Sequence, residues 1–243
     1  DVLIRLFCAP GDEIINLPPT FAMFQFYARL QGVNVINVPR DEDYQIDVAG
    51  IKKAASARIK LIFIANPNNP TGTLTPPQAI EEVLALGLPT VVDEAYYEFI
   101  GQTFAPRVGR LPNLMVLRTF SKWAGLAGLR VGYGLFPERV AAYMHAIRDP
   151  YNVNAAAVLA AQESLKDAPC QMAKVRLIIA ERERLYGELA KIGWLKPYPS
   201  QANFILCRLN GKKATNVQSE LEERAILVRC FDAPGLENCI RFS

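Results

Sequence analysis

Short, dense apolar runs punctuate the chain at 12–17, 34–38, 61–65, 89–92, 114–117 and 131–136. Such runs, bounded by Gly, Pro, Asn or Asp, read as strands, and runs with little polar alternation read as strands covered on both faces. Between them the apolar positions recur at helical spacing over 2–7, 24–32, 48–57, 75–86 and 137–148. The fourth of these opens with Thr75-Pro76-Pro77, and proline is tolerated in a first helical turn. Strand and helix in alternation predict an α/β fold with a mostly parallel central sheet flanked by helices. The stretch 39–47 is charged and reads as a surface loop.

The pattern changes after the polar break Tyr151-Asn152-Val153-Asn154, where Asn154 is a candidate helix N-cap. A long amphipathic stretch follows, with Met172, Val175, Ile178, Ile179, Leu185 and Leu189 on one face and Arg182, Glu183 and Arg184 on the other. It reads as a helix joining two domains. A strand at 203–207, a helix at 214–224, a short strand at 226–228 and a last strand at 239–243 predict a smaller α+β domain. The expected division is a large domain at 1–154, and the linking helix with the small domain at 155–243. Neither end shows a cap or turn, so the chain is expected to be part of a longer gene product, with pieces of both domains outside it.

Three polar motifs each follow an apolar strand, the position at which open α/β sheets hold their ligands. Asn66-Pro67-Asn68-Asn69-Pro70-Thr71-Gly72 follows 61–65, Asp93-Glu94-Ala95-Tyr96 follows 89–92, and the run from Arg118 to Arg130 follows 114–117. In the last, Lys122 would be partly dry, which favours a neutral amine able to condense with a carbonyl. Thr119, Ser121 and Arg130 supply two hydroxyls and a planar fork of donors, the equipment for a phosphate. Asp93 is costly to bury unless a cation pairs with it, whereas Glu94 points the other way if the strand continues. Asn69 sits in a Pro-bracketed turn, where an amide also serves by bonding its own backbone. Phe21 and Phe24 suit either a packed core or a stacking face for a planar ring. Arg229 and Arg241 end or interrupt apolar strands, so each wants an anion.

In this order, Pro18-Pro19-Thr20-Phe21, Asn69-Pro70-Thr71-Gly72, Asp93-Glu94-Ala95-Tyr96, Ser121-Lys122, Arg130, Pro199-Ser200-Gln201-Ala202-Asn203-Phe204, Arg229 and Arg241 span the chain. The set resembles the pyridoxal-phosphate aminotransferases of fold type I, and in detail their histidinol-phosphate branch. The resemblance implies pyridoxal 5'-phosphate held as a Schiff base on Lys122, with Asp93 on the pyridine nitrogen. It places Phe21 on the ring face, Asn69 and Tyr96 at the ring oxygen, and Thr119, Ser121 and Arg130 at the phosphate. Catalytic roles fall to Lys122, Asp93 and Tyr96, and substrate binding to Asn69, Arg229 and Arg241. Phe21 lacks the hydroxyl of the tyrosine common in relatives, so no polar role is expected there. The implied reaction is transamination of L-histidinol phosphate with 2-oxoglutarate, giving glutamate, in a homodimer. A threonine-phosphate decarboxylase-like lyase or another aminotransferase of this fold shares the same lysine and aspartate. A silent fragment is the alternative from a different class, since relatives place a glycine-containing phosphate loop upstream of Asp1.

Bulk composition narrows the rest. A net charge of +3, with the basic residues scattered, argues against a nucleic-acid partner or an anionic membrane surface. No apolar run reaches the roughly 18 residues that span a bilayer. His145 is the only histidine, too little for a typical zinc site, so no metal is expected. Five cysteines (Cys8, Cys170, Cys207, Cys230 and Cys239) without C-x-x-C spacing read as reduced thiols in a cytoplasmic or plastid protein.

Overall fold

A computed structural model describes residues 1–243. Six strands, β1 (Glu13–Asn16), β2 (Asn34–Asn37), β3 (Ile59–Ala65), β4 (Thr90–Asp93), β5 (Leu114–Thr119) and β6 (Gly132–Leu135), form one sheet in the order β2-β1-β3-β4-β5-β6. All neighbours are parallel except β6, which runs antiparallel to β5. Gly132 makes that last pairing possible, because a Cβ there would lie 2.6 Å from the Arg118 carbonyl oxygen.

The helices are α1 (Val2–Phe7), α2 (Met23–Leu30), α3 (Val48–Ala54), α4 (Pro77–Leu84) and α5 (Glu138–Ile147). They divide between the two faces of the sheet by the period-2 alternation of the strands. On β3, Leu61, Phe63 and Ala65 pack with Ile14, with Leu3 and Ile4 of α1, and with Phe24 and Ala28 of α2. Ile62 and Ile64 face the opposite way, with Ile15, with Ile51 of α3, and with Ile80 and Val83 of α4. Covering both faces explains why residues 61–65 of β3 read as an unbroken apolar run. Ile62 and Ile64 are fully buried, each contributing roughly 1.5–3 kcal/mol relative to exposure.

A second, antiparallel sheet runs in the order β7-β8-β10-β9, built from β7 (Leu195–Pro197), β8 (Ile205–Leu209), β9 (Arg229–Cys230) and β10 (Cys239–Phe242), with α8 (Ala214–Glu222) against it. Two helices precede it, α6 (Ala155–Lys166) and α7 (Ala168–Ala190). Asn154 caps α6 by accepting from the Ala157 amide at 2.9 Å. No helix is long and apolar enough to cross a membrane.

Three expectations need correction. The stretch 39–47 is not simply a charged surface loop, because Arg40, Tyr44 and Ile46 are buried. Backbone carbonyls replace water there: Arg40 donates to Leu17 O and Tyr44 O, and the Tyr44 hydroxyl donates to Gly235 O at 3.0 Å. On α7, Arg182 belongs to the inner stripe with Val175 and Leu189, and its Nη1 donates to Ala202 O at 2.9 Å, whereas Ile178 is exposed. The strand expected at 226–228 gives way to β9, just after it, since Ile226 and Leu227 face solvent.

Candidate active site

β3 and β4 end level with one another, Ala65 pairing with Asp93, and β5 runs two residues past Leu117, the partner of Asp93, to Thr119. The three polar motifs therefore emerge together on one edge of the sheet. They enclose a cleft of about 410 Å³ lined by Phe21, Asn69, Asp93, Tyr96, Thr119, Ser121, Lys122 and Arg130 among others. A cleft of that size suits a small ligand.

Lys122 follows β5, with Nζ 5.7 Å from the centre of the Tyr96 ring. Burial depresses the basicity of its amine, and the positive charges of Arg241 and Arg130 lower it further. Asp93, the last residue of β4, accepts from the Ala95 amide at 3.0 Å and has no ion-pair partner in the chain. Burial pushes its carboxyl up to about 6, opposed by the Ala95 amide and reinforced by neighbouring Glu94. Tyr96 is buried edge-on against Phe204, and its phenol is pushed up to about 12, chiefly by burial.

The Thr119 and Ser121 hydroxyls are 2.8 Å apart, and Thr119 Oγ1 also accepts from the Ser121 amide. Arg130 is exposed, holds a left-handed backbone at φ 57°, and is braced by a bond from its Nη1 to Ala127 O. Phe21 is 40% exposed at the cleft wall, whereas Phe24 is core, stacked on Phe63.

Of the two arginines expected at the substrate, the structure brings one to the cleft. Arg241 donates from Nη1 to Asn69 Oδ1 at 2.8 Å and lies over the Phe204 ring, while its Nε is buried without a partner. Arg229 is paired with Arg241 in the strand register but is exposed on the edge strand β9, its guanidinium over Phe231.

Two residues, one in the cleft wall and one buried behind it, escape sequence reasoning. Arg118 lines the cleft, lies 3.6 Å from the centre of the Tyr97 ring, and donates from Nε and Nη2 to Glu94 Oε2. Glu94 is buried and also accepts from Thr103 and the Phe104 amide, so its charge is fully engaged on the far side of β4 from Asp93. An arginine closing a buried strand was the available signal, since it demands an anion nearby. Asn68, wholly buried beside Asn69, is the other.

The family described as "Aminotransferase class I and II" matches residues 1–243. Histidinol-phosphate aminotransferase of Dehalococcoides mccartyi is 59% identical over the whole chain, which spans 68% of that relative's length. The chain belongs to the histidinol-phosphate aminotransferases. Among solved structures, the histidinol-phosphate aminotransferase of Clostridium acetobutylicum superposes with a TM-score of 0.91 at 31% identity, covering 100% of this chain and 74% of the other. That of Sinorhizobium meliloti, determined in complex with pyridoxal-5'-phosphate, gives 0.89 at 29% identity, covering 100% and 68%. Membership of this aminotransferase family implies dependence on pyridoxal phosphate.

Proposed function

We propose that this chain catalyses transamination of L-histidinol phosphate with 2-oxoglutarate, using pyridoxal phosphate held covalently on Lys122. The observation that carries this reading is a half-dry amine and an unpaired carboxylate facing one cleft, with two hydroxyls and a guanidinium at its rim.

The residues present fit the cofactor. Asp93 lacks a cation, and a protonated pyridine nitrogen is the partner that would hold it ionised. Thr119, Ser121 and Arg130 match a phosphate dianion, the free face of Phe21 matches a flat ring, and Asn69 and Tyr96 match the ring oxygen. When bound, pyridoxal phosphate supplies an electron sink for charge developing on the substrate's reacting carbon. Lys122 Nζ, its basicity lowered by burial and by Arg241 and Arg130, would take and return a proton at that carbon once the substrate's amine has displaced it from the cofactor. Asp93 would sustain the ring's positive charge, and Tyr96 would bond the ring oxygen.

Arg241 is proposed to bind the anionic end of each substrate, phosphate in one and carboxylate in the other. Its buried Nε has no partner, and the positive charge of Arg229 on the neighbouring strand makes an anion at Arg241 more favourable. Residues 1–154 would form the cofactor-binding domain and 155–243 the smaller one. A homodimer accords with the exposed Phe26 and Leu30 on α2.

The test is to supply the chain with pyridoxal phosphate, histidinol phosphate and 2-oxoglutarate and to measure glutamate. Parallel lines in a two-substrate plot are expected, because one substrate leaves before the other binds. Intersecting lines, or carbon dioxide release without any oxo acid, would replace this reading with another.

A further inference from the structure

The cleft wall that carries Phe21 and Asn69 is assembled from segments far apart in sequence, and their convergence on one side chain bears on how the wall is held. Asn68 is fully buried, and every polar group of its side chain is engaged. Its Oδ1 accepts from Thr20 Oγ1 at 2.8 Å, and its Nδ2 donates to Pro19 O at 2.9 Å and to Thr71 Oγ1 at 2.8 Å. A carbonyl oxygen can only accept, so the group facing Pro19 must be the amide nitrogen, and the orientation is set by chemistry. The backbone of Asn68 closes the turn as well, its amide donating to Thr73 O and its carbonyl accepting from the Gly72 amide, both at 2.8 Å.

The residues on either side of these bonds are those that face the cleft. Thr20 directly precedes Phe21, and Asn68 directly precedes Asn69, which holds Arg241. The same turn receives the second sheet's approach, since Gly72 O accepts from the Gln201 amide at 2.7 Å and a Cβ at Gly72 would collide with Ser200.

We propose that Asn68 is a positioning residue that locks the loop bearing Phe21 to the turn bearing Asn69, so that ring face, ring-oxygen donor and substrate arginine are presented as one rigid wall. Asn68 itself touches none of the reacting groups and is absent from the cleft lining. The inference rests on the cofactor reading above, and it adds that affinity for the cofactor is set partly by a residue that never meets it.

The test is titration of pyridoxal phosphate by its absorbance change into the full chain, into Asn68→Ala, and into the isosteric Thr20→Val, which removes a single bond should Asn68→Ala fail to fold. Ile80→Val, in the main core and outside the cleft, serves as a control for destabilisation alone. Asn68→Ala is expected to weaken the Kd about tenfold and Thr20→Val about threefold at unchanged stoichiometry, with Ile80→Val unchanged. A lower fraction of binding-competent chain at wild-type Kd in the folded variants would make Asn68 merely structural and overturn the proposal. Failure of the wild-type chain to capture the cofactor would instead overturn the function reading, and this inference with it.

Discussion

Arg241 Nη1 donates to Asn69 Oδ1 at 2.8 Å, joining residues 172 positions apart and bringing the last strand of the second sheet to the turn after β3. The contact places an unpaired, half-buried guanidinium beside the lysine and tyrosine of the cleft, where its charge acts on both.

Arg241 and Arg229 should therefore differ in their effects. Arg241→Gln is expected to raise KM for histidinol phosphate and for 2-oxoglutarate roughly tenfold to a hundredfold, the worth of one lost charged hydrogen bond. Arg229→Gln, on the exposed edge strand, should raise them by less than about threefold. Steady-state kinetics with both substrates measures the difference, and equal losses would show that Arg229 swings fully into the site.

Asp93 links stability to pH in the cofactor-free chain. Its carboxyl titrates at about 6 rather than the ordinary 3.8, so between those values the folded chain keeps a proton that the unfolded chain has released. Stability accordingly falls as pH rises through that window, and above it the buried charge costs about 2–3 kcal/mol. Asp93→Asn should thus melt higher than the wild type at pH 8 and coincide with it near pH 4. The same variant should lose at least about a hundredfold in kcat once loaded with cofactor. Superimposable melts at pH 8 would mean that the carboxylate is better solvated than its burial implies.

Arg118 and Glu94 form a buried ion pair at 3.0 Å, only 12% and 2% of their side chains being exposed. Arg118→Met leaves Glu94 charged without its partner and is expected to cost about 3–5 kcal/mol in urea denaturation. Adding Glu94→Gln, which removes the charge, keeps an acceptor for the Phe104 amide and turns a donor toward the Thr103 hydroxyl, should restore more than half of that. A double variant no more stable than Arg118→Met would place the loss in the stacking on Tyr97 instead.

Where the sequence is legible, a physical rule leaves little choice. Strands such as β3 are covered on both faces and read as apolar runs, and the polar residues placed at their ends meet because parallel neighbours end on the same edge of the sheet. That reasoning extends to the eight residues assigned to the cofactor, all of which line one cleft. It fails where a charged side chain is buried by backbone acceptors that composition cannot reveal. Arg40 looks like part of a solvated loop yet donates to Leu17 and Tyr44 carbonyls, and Arg182 looks like the outer face of α7 yet holds Ala202 O. Arg229 illustrates the converse: it closes a plausible apolar run, but that run is exposed and the strand is only two residues long. Asn68 is invisible for a further reason, since an asparagine in a Pro-bracketed turn bonds to its own backbone as readily as to a distant loop.

The central claim is that the amine of Lys122 takes the cofactor. Borohydride reduction of the chain loaded with pyridoxal phosphate, followed by peptide mass spectrometry, tests it most directly. The reduced cofactor should be found on the peptide containing Lys122 and be absent from Lys122→Ala. Label on a different lysine, or equal labelling of Lys122→Ala, would contradict it.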